Sequence, residues 1–273
     1  MSERFTIVGA RGYIGSRLAE RLERAGEAVT RIDRFEAEAH ADRELGHVIF
    51  AGGVTADFRE RPFDTVAAHV TATADVLRHA RFDSFLYLSS TRVYQAASGT
   101  GEDVTLSLDP SDPLQLYNAT KLAGEALCLA LPNDAIRVAR ISNVYGADDP
   151  SDNFLIDIVR AAITRHHVTF RTRLDSHKDF VSLDDVLDIL PKIARAGRAR
   201  LYNVASGRNT VYADLADGLR RVTGCSVDVA PDSMRVTFPV VSVARLEREF
   251  GFRPKRLSDE IEAFIEAYRS RHS

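Results

Sequence analysis

Short strand-like runs alternate with helix-like segments through the first half of the chain. Strands are expected where apolar residues cluster over four to five positions, at 4–8, 29–32, 47–51, 85–88 and 136–139. Apolar residues with helical spacing lie between and beside these runs, at 14–25, 62–80 and 114–131. This alternation predicts an α/β fold with a doubly wound parallel sheet.

The second half of the chain has a more mixed pattern, and no linker marks a boundary in it. Helices are expected at 153–164, 183–196, 211–222, 242–250 and 258–270, with short strands near 168–170, 180–182 and 201–204. We interpret this half as a small mixed α/β lobe. The predicted division is a sheet domain over 1–145, to which about 178–205 returns, and a lobe over about 146–177 and 206–273.

The segment between the second and third predicted strands is short and polar. A crossover connection usually takes a dozen residues or more. Residues 34–46 therefore leave little room for both a crossover and a further strand. We therefore predict that the third βα unit of the sheet is shortened.

Composition narrows the class of protein without identifying it. The 273 residues are 45% hydrophobic and 27% charged, which is ordinary globular usage. The net charge of −3, with no basic half, argues against nucleic acid as a partner. Two distant cysteines, Cys128 and Cys225, predict neither a disulfide framework nor a metal site. No apolar run is long enough for a membrane span, so we expect a cytoplasmic protein without membrane contact.

A glycine-rich turn follows the first strand and opens the first helix. In Gly9-x-x-Gly12-x-x-Gly15, the glycines permit a tight turn and close approach of a pyrophosphate to the helix N-terminus. Asp33 closes the second strand, where a carboxylate can accept hydrogen bonds from an adenosine ribose and repel a 2′-phosphate. The turn predicts a dinucleotide site that prefers NAD, while Arg34 leaves NADP possible.

Tyr117 and Lys121 are four residues apart in a predicted helix and share one face. A phenol has a pKa near 10 and is a poor base at pH 7. An ammonium about 5 Å away lowers that pKa by about two units at an effective dielectric of about 20. The pair therefore predicts proton transfer by Tyr117, and Ser90 follows the preceding strand, where ligands bind in such sheets.

Four motifs occur in a fixed order along the chain. They are Gly9-x-x-Gly12-x-x-Gly15, Ser-Ser-x-x-Val-Tyr at 89–94, Tyr117-x-x-x-Lys121 and Arg140-x-x-Asn143-Val144-Tyr145-Gly146, with further landmarks at 178–186, 202–207 and 250–254. The pattern resembles the extended short-chain dehydrogenase/reductases, the NAD-dependent epimerase/dehydratase family, over nearly the whole chain. The resemblance implies a Rossmann sheet that binds NAD and a lobe that binds the substrate.

The resemblance also implies which residues act in the site. Ser90, Tyr117 and Lys121 would be the catalytic residues. The cofactor would contact Gly9, Gly12, Tyr13, Ile14, Gly15, Asp33, Arg34, Ala51, Gly52, Gly53, Tyr117, Lys121 and Ile141. The substrate, typically a nucleotide-sugar diphosphate, would contact Ser90, Thr91, Asn143, Asn153, Lys178 and Arg235.

Two departures from the family pattern change these expectations. Sugar 4,6-dehydratases of the family carry Asp-Glu directly after the catalytic hydroxyl, whereas this chain has Thr91-Arg92, so we do not expect elimination of water. The shortened 34–46 segment leaves Asp42 as the candidate for the usual adenine-contacting Asp.

Three functions follow from these observations. The first is an NAD-dependent nucleotide-sugar oxidoreductase, specifically an epimerase that uses transient hydride transfer. The alternatives are a reductase of a 4-keto sugar or another small carbonyl compound, and a non-catalytic NAD(P)-sensing protein. An intact Ser90, Tyr117 and Lys121 set favours an enzyme, because a binding protein needs no phenol–ammonium pair. Helices 62–80 and 114–131 resemble the pair through which the family dimerises, so a homodimer is expected.

Overall fold

The computed structural model describes residues 2–40, 43–55 and 57–272. In chain order its strands and helices are β1 Arg4–Val8, α1 Tyr13–Arg24, β2 Ala28–Ile32, α2 Ala37–His40, β3 His47–Phe50, α3 Pro62–Val66, α4 Ala72–His79, β4 Ser84–Ser90, α5 Leu116–Ala130, β5 Ile136–Ile141, β6 Asn143–Tyr145, α6 Phe154–Arg165, β7 His167–Thr172, β8 His177–Ser182, α7 Leu183–Ala196, β9 Leu201–Val204, β10 Asn209–Val211, α8 Tyr212–Thr223, β11 Ser226–Met234, α9 Ala244–Phe250 and α10 Leu257–His272.

The chain divides into two compact units. Unit 1 consists of the described residues within 1–141, 187–204 and 244–252, and unit 2 of those within 142–186, 205–243 and 253–273. The segment expected to return to the first domain, 178–205, is shared between the units. The assignment of cofactor binding to one unit and substrate binding to the other stays a prediction.

Unit 1 is built on a six-stranded parallel sheet in the order β2-β1-β3-β4-β5-β9, which confirms the predicted parallel α/β fold. The inner strands β4 and β5 are buried along their length, as strands covered on both faces must be. Apolar side chains from neighbouring strands, such as Phe50, Tyr87 and Val138, pack in one cluster. The edge strand β2 is largely exposed, which accounts for its weaker apolar pattern.

The helix expected over 62–80 is not continuous. A π-helical turn, Ala67–Thr71, separates α3 from α4. The carbonyl of His69 accepts hydrogen bonds from the hydroxyl of Thr73 at 2.9 Å and from that of Tyr87 at 3.2 Å. These side-chain bonds satisfy a carbonyl inside the widened turn. Such turns are rare and occur frequently at functional sites.

The stretch between Asp33 and β3 holds little regular structure among its described residues. It contains the four-residue helix α2 and a single-residue bridge between Glu44 and Arg81. Asp42, the candidate for adenine contact, lies outside the described residues. That this unit is shorter than usual stays a prediction.

Unit 2 contains two small sheets and helices that pack on them. Strands β10, β8 and β6 form a mixed sheet, and β11 pairs with β7 in parallel. The apolar faces of α6, α8 and α10 share one buried cluster, which includes Ile156, Leu215 and Phe264. The sequence pattern missed β6, β10 and β11. Strand β11 is almost entirely exposed or half-buried, so it has no apolar pattern to detect.

Across the described ranges, the chain has no helix that is both long enough and apolar enough to cross a membrane.

A buried ion pair anchors α5 to the centre of the sheet in unit 1. The Arg140 guanidinium on β5 donates from Nη2 to Glu125 Oε2 on α5 at 2.6 Å, and both side chains are almost fully buried. The Ser89 hydroxyl on β4 also donates to Glu125. Arg140 Nη1 further donates to the Tyr94 hydroxyl at 2.7 Å, which itself lies 2.8 Å from Asn203 Oδ1 on β9.

Glu125→Ala should lower the free energy of unfolding by about 3–5 kcal/mol, because it leaves the buried Arg140 charge without its partner. Urea denaturation should show this as a lower midpoint with an unchanged slope.

The matched control is Glu23→Ala, whose partner Arg31 is exposed to solvent. It removes the same carboxylate and should barely move the midpoint. Equal losses in the two variants would show that the buried pair does not anchor α5.

Candidate active site

The glycine turn brings three backbone segments of unit 1 into close contact. Gly9 has a φ of +83°, and a Cβ built there would lie 2.6 Å from the backbone nitrogen of Gly52. A Cβ on Gly15 would lie 2.3 Å from the carbonyl oxygen of Gly9. Only glycine fits these two positions, because a Cβ at either one would clash with neighbouring backbone. Gly12 is the N-cap of α1, and Tyr13 and Ile14 begin that helix, whose first N–H groups suit a phosphate.

The residues after β3 lie beside this turn, and their contact with the cofactor stays a prediction. Ala51 donates from its backbone nitrogen to the carbonyl of Val8 at 2.8 Å, and Gly52 packs against Gly9. A Cβ on Gly53 would lie 3.4 Å from the Lys121 ammonium. The turn, the end of β3 and Lys121 therefore form one continuous cradle that fits a dinucleotide.

Asp33 follows β2 at the same edge of the sheet and is paired. Its carboxylate lies 2.6 Å from Nε of Arg11, a residue inside the glycine turn that the sequence analysis did not single out. Both side chains are exposed, and so is neighbouring Arg34. A carboxylate and two guanidinium groups thus lie together in this part of unit 1, and their contact with the cofactor stays a prediction.

Tyr117 lies in the first turn of α5 and is buried, with 8% of its surface exposed. The Ser90 hydroxyl is close enough to the Tyr117 phenol to lower the pKa of that phenol, and the Arg92 backbone N–H donates to Ser90 Oγ at 3.2 Å. The rings of Phe58 and His69 lie 5.7 Å and 5.4 Å from the Tyr117 ring. The structure therefore brings Ser90 and Tyr117 together.

The direction of the Tyr117 pKa differs from the sequence-based expectation. Burial raises the pKa of the phenol, while the Ser90 hydrogen bond and the nearby charge of Arg92 lower it. Lys121 lies with its Nζ 6.0 Å from the Tyr117 ring centroid and donates to the carbonyl of Leu88 at 2.9 Å. Burial lowers the pKa of Lys121 itself to about 7, because a desolvated ammonium is unfavourable. Helical spacing indicated the pair but not its desolvation.

His69 is a fully buried site residue that the sequence analysis missed. Its Nε2 accepts the backbone N–H of Val54 at 3.2 Å, and its Nδ1 lies 2.8 Å from Thr120 Oγ1. The Thr120 hydroxyl donates to the carbonyl of Tyr117, so it accepts the proton of Nδ1 and selects one neutral tautomer. Burial and, secondarily, Lys121 lower the pKa of His69 to about 3. A neutral imidazole thus connects the chain after β3 to the helix of Tyr117.

Two further predicted residues lie at the carboxyl ends of the central strands. Ile141 ends β5 and is in register with Ser90 at the end of β4. Thr91 directly follows β4, is buried, and begins a short 3₁₀ helix, Thr91–Tyr94.

Four predicted substrate residues lie in unit 2. The amide of Asn143 donates to the carbonyl of Asp179 at 2.8 Å. Asn153 caps α6, with its Oδ1 accepting the N–H groups of the first turn. The Lys178 ammonium lies 5.3 Å from the Phe238 ring centroid, and Arg235 is exposed. Contact of these four with substrate stays a prediction.

Within the described ranges, no group of three or more His, Cys, Asp or Glu side chains is placed to hold a metal ion.

Comparison with known proteins identifies the family. The profile of the NAD dependent epimerase/dehydratase family matches residues 5–205. Protein CapI of Staphylococcus aureus is 20% identical, with 96% of this chain and 97% of CapI covered. UDP-glucose 4-epimerase of Mycolicibacterium smegmatis is 24% identical, with 98% and 99% covered. The solved structure of an NAD-dependent NDP-hexosamine 5,6-dehydratase of tunicamycin biosynthesis has a TM-score of 0.82 at 22% identity, with 98% of both chains covered.

The profile spans the glycine turn, Ser90, Tyr117 and Lys121, and ends just after β9. The match confirms the predicted family, the NAD cofactor and the class of enzyme. The chain belongs to the NAD-dependent epimerase/dehydratase family.

Proposed function

We propose that this enzyme is an NAD-dependent nucleotide-sugar epimerase in which Tyr117 is the acid/base. The observation that carries the proposal is the Tyr117 phenol, which is buried, lies 6.0 Å from the Lys121 ammonium by its ring centroid, and is influenced by the Ser90 hydroxyl. The names of full-length relatives, among them UDP-glucose 4-epimerase, support a nucleotide-sugar substrate.

Each residue has a defined part in this proposal. The glycine turn and Ala51–Gly53 hold the cofactor, and Lys121 orients it. When bound, NAD⁺ accepts a hydride from a sugar carbon and returns it. The Ser90 hydroxyl holds the oxygen on that carbon, and the Tyr117 oxygen takes its proton and gives it back.

The proton affinity of Tyr117 depends on nearby charge. Burial holds its pKa above the ordinary value, whereas Arg92 favours the phenolate. An ammonium on Lys121 is partly populated at neutral pH, because its pKa is about 7. The positive ring of oxidised nicotinamide adds a third charge of the same sign. We infer that the phenolate forms with the oxidised cofactor in place.

Water elimination is a weaker alternative, although dehydratases belong to the same family. Elimination needs a further acid/base group beside the reacting carbons. The residues directly after Ser90 are Thr91 and Arg92, and neither is a carboxylate.

The purified protein should convert one nucleotide sugar of a panel into its epimer when it is incubated with the panel and NAD⁺. ¹H NMR spectra of the mixture would detect the conversion. Absorbance at 340 nm should show no net NADH, because the hydride returns to the same sugar. Tyr117→Phe removes one oxygen and keeps the ring, so kcat should fall by about 10²–10⁴ with NAD affinity preserved.

Tyr268→Phe on α10 removes a buried tyrosine hydroxyl from the core of unit 2 and serves as the control. It should keep wild-type kcat. Stoichiometric NADH consumption would indicate a reductase, and a Tyr117→Phe variant with more than about a tenth of wild-type kcat at rate-limiting chemistry would exclude Tyr117 as the acid/base.

Asp33→Ser should shift the preference from NAD toward NADP by about tenfold or more in the ratio of dissociation constants. The substitution removes a carboxylate that would repel a 2′-phosphate and frees the Arg11 guanidinium paired with it. Calorimetric titration with both cofactors measures the ratio.

Asp57→Ser is the control, since Asp57 is an exposed carboxylate that pairs with Arg61. It should leave the ratio unchanged. Wild-type protein that binds NADP tenfold tighter than NAD would contradict the role proposed for Asp33.

We also propose a homodimer, for which an exposed apolar pair on α3 is the support. Phe63 is 88% exposed and Val66 is 41% exposed, three residues apart on one side of the helix. Light scattering after gel filtration should give twice the chain mass of 30.2 kDa. Phe63→Glu should shift the protein toward the monomer, because it places a charge in the contact.

The cytoplasmic location stays a prediction.

Met234→Glu is the control. It places the same charge on another large exposed apolar residue, 76% exposed, in a strand outside the predicted interface. It should leave the dimer intact. A monomeric wild-type protein, or equal effects of the two variants, would remove α3 from the interface.

A further inference from the structure

Arg92 is a partly buried cation beside the proposed acid/base. Its guanidinium carbon lies 5.4 Å from the centroid of the Tyr117 ring and 5.2 Å from that of Phe58. One of its nitrogens donates to the carbonyl of Leu114 at 3.3 Å. Over the described part of the chain, no carboxylate lies within ion-pair distance of Arg92.

The charges around Arg92 do not neutralise it. Asp112 is the acidic group whose field reaches it, but Asp112 Oδ1 already accepts the backbone N–H of Leu114 at 2.9 Å. Arg59 adds a second positive charge whose field also reaches Arg92. Burial lowers the pKa of Arg92, because removing a cation from water is costly.

Among the residues that the structure describes, most of the hydrogen-bonding capacity of Arg92 is unused. A guanidinium carries five N–H donors, and a single long bond to a carbonyl occupies one of them. The two aromatic rings attract the charge but do not replace a carboxylate, which accepts two parallel N–H bonds in one plane. Arg92 has no side-chain nitrogen that is both fully buried and without a partner among the described residues, so each remaining donor keeps some exposed surface.

The position of Arg92 determines which part of a ligand it can reach. It lies two residues after Ser90, in the 3₁₀ turn that follows β4, and beside the Tyr117 ring. Ser90 and Tyr117 are the groups proposed to hold the oxygen of the reacting sugar carbon. A substituent on a neighbouring ring carbon would therefore come closest to the guanidinium.

We propose that Arg92 binds a carboxylate of the sugar, and that the substrate class is a nucleotide-activated sugar acid and not a neutral hexose. This inference rests on the proposed function. The carboxylate would complete the donor set of Arg92 with a planar, bidentate ion pair. It would also orient the ring so that the reacting oxygen meets Ser90 and Tyr117.

The test measures binding to NAD-loaded protein, so that it does not depend on the rate of proton transfer. Calorimetry would compare UDP-glucuronic acid with UDP-glucose, GDP-mannuronic acid with GDP-mannose, and the nucleotides UDP and GDP alone. Wild type should bind one acid more tightly than its neutral counterpart. Arg92→Met should lower the affinity for that acid by about ten- to a hundredfold, while the affinities for the neutral sugar and for the nucleotide should change less than about threefold.

Two further variants separate geometry from charge. Arg92→Lys keeps the charge but cannot form the bidentate pair, so its affinity for the acid should fall between those of wild type and Arg92→Met. Arg59→Met removes a neighbouring exposed positive charge and should leave the acid-to-neutral ratio unchanged. Unchanged NAD affinity in every variant verifies that the fold is intact.

Three results would overturn the inference. If Arg92→Met lowered the affinities for the acid, the neutral sugar and the nucleotide equally, Arg92 would contact the diphosphate. A wild-type protein that binds neutral sugars as tightly as acids would exclude a carboxylate-specific site. Binding of NAD without binding of any nucleotide or nucleotide sugar would refute the proposed function itself, which distinguishes that failure from the other two.

Discussion

The buried carboxylate of Glu125 is the constraint on which the site depends. It accepts hydrogen bonds from Ser89 on β4 and from Arg140 on β5, in a region closed to water. Burial makes a misplaced charge costly, so α5 has one favourable position against the sheet. Tyr117, Lys121 and Glu125 are spaced four residues apart on the same face of α5. Fixing Glu125 therefore also fixes the phenol and the ammonium over the ends of the strands.

The same packing determines the electrostatics of the site. Desolvation raises the pKa of Tyr117 and lowers that of Lys121, so each group is biased toward its neutral form. Glu125 opposes this for Lys121 by favouring the ammonium. His69 is neutral at pH 7 because its pKa is near 3, so it adds a hydrogen-bonded connection and no charge. Arg92 is then the cation that favours the phenolate of Tyr117 directly.

The proposed catalytic and cofactor-binding groups of unit 1 are separated along the chain but share the carboxyl edge of one sheet. The glycine turn after β1, Gly52 after β3 and Ser90 at the end of β4 all occupy that edge. Parallel strands place their carboxyl ends together, which is why open α/β sheets bind ligands there. Gly9 and Gly52 approach each other so closely that a side chain on Gly9 would clash with the backbone of Gly52.

Several features could be predicted from the sequence because they depend on local pattern. Buried strands such as β4 and β5 are apolar along their length, the glycine turn has a characteristic spacing, and Tyr117 and Lys121 are one helical turn apart. Strand β11 could not be found this way, since its exposed residues carry no periodic signal. The π-helical turn at His69 was also hidden, because it depends on hydroxyls of Tyr87 and Thr73 that reach its carbonyl.

By itself, the sequence determined the fold class, the family and the identities of the candidate catalytic residues. The tertiary structure decided the electrostatic state of the site: the direction of the Tyr117 pKa, the neutral tautomer of His69 and, among the described residues, the lack of a carboxylate within ion-pair distance of Arg92. Those properties depend on desolvation and on charges from distant parts of the chain. Residue spacing along a helix carries no information about either of them.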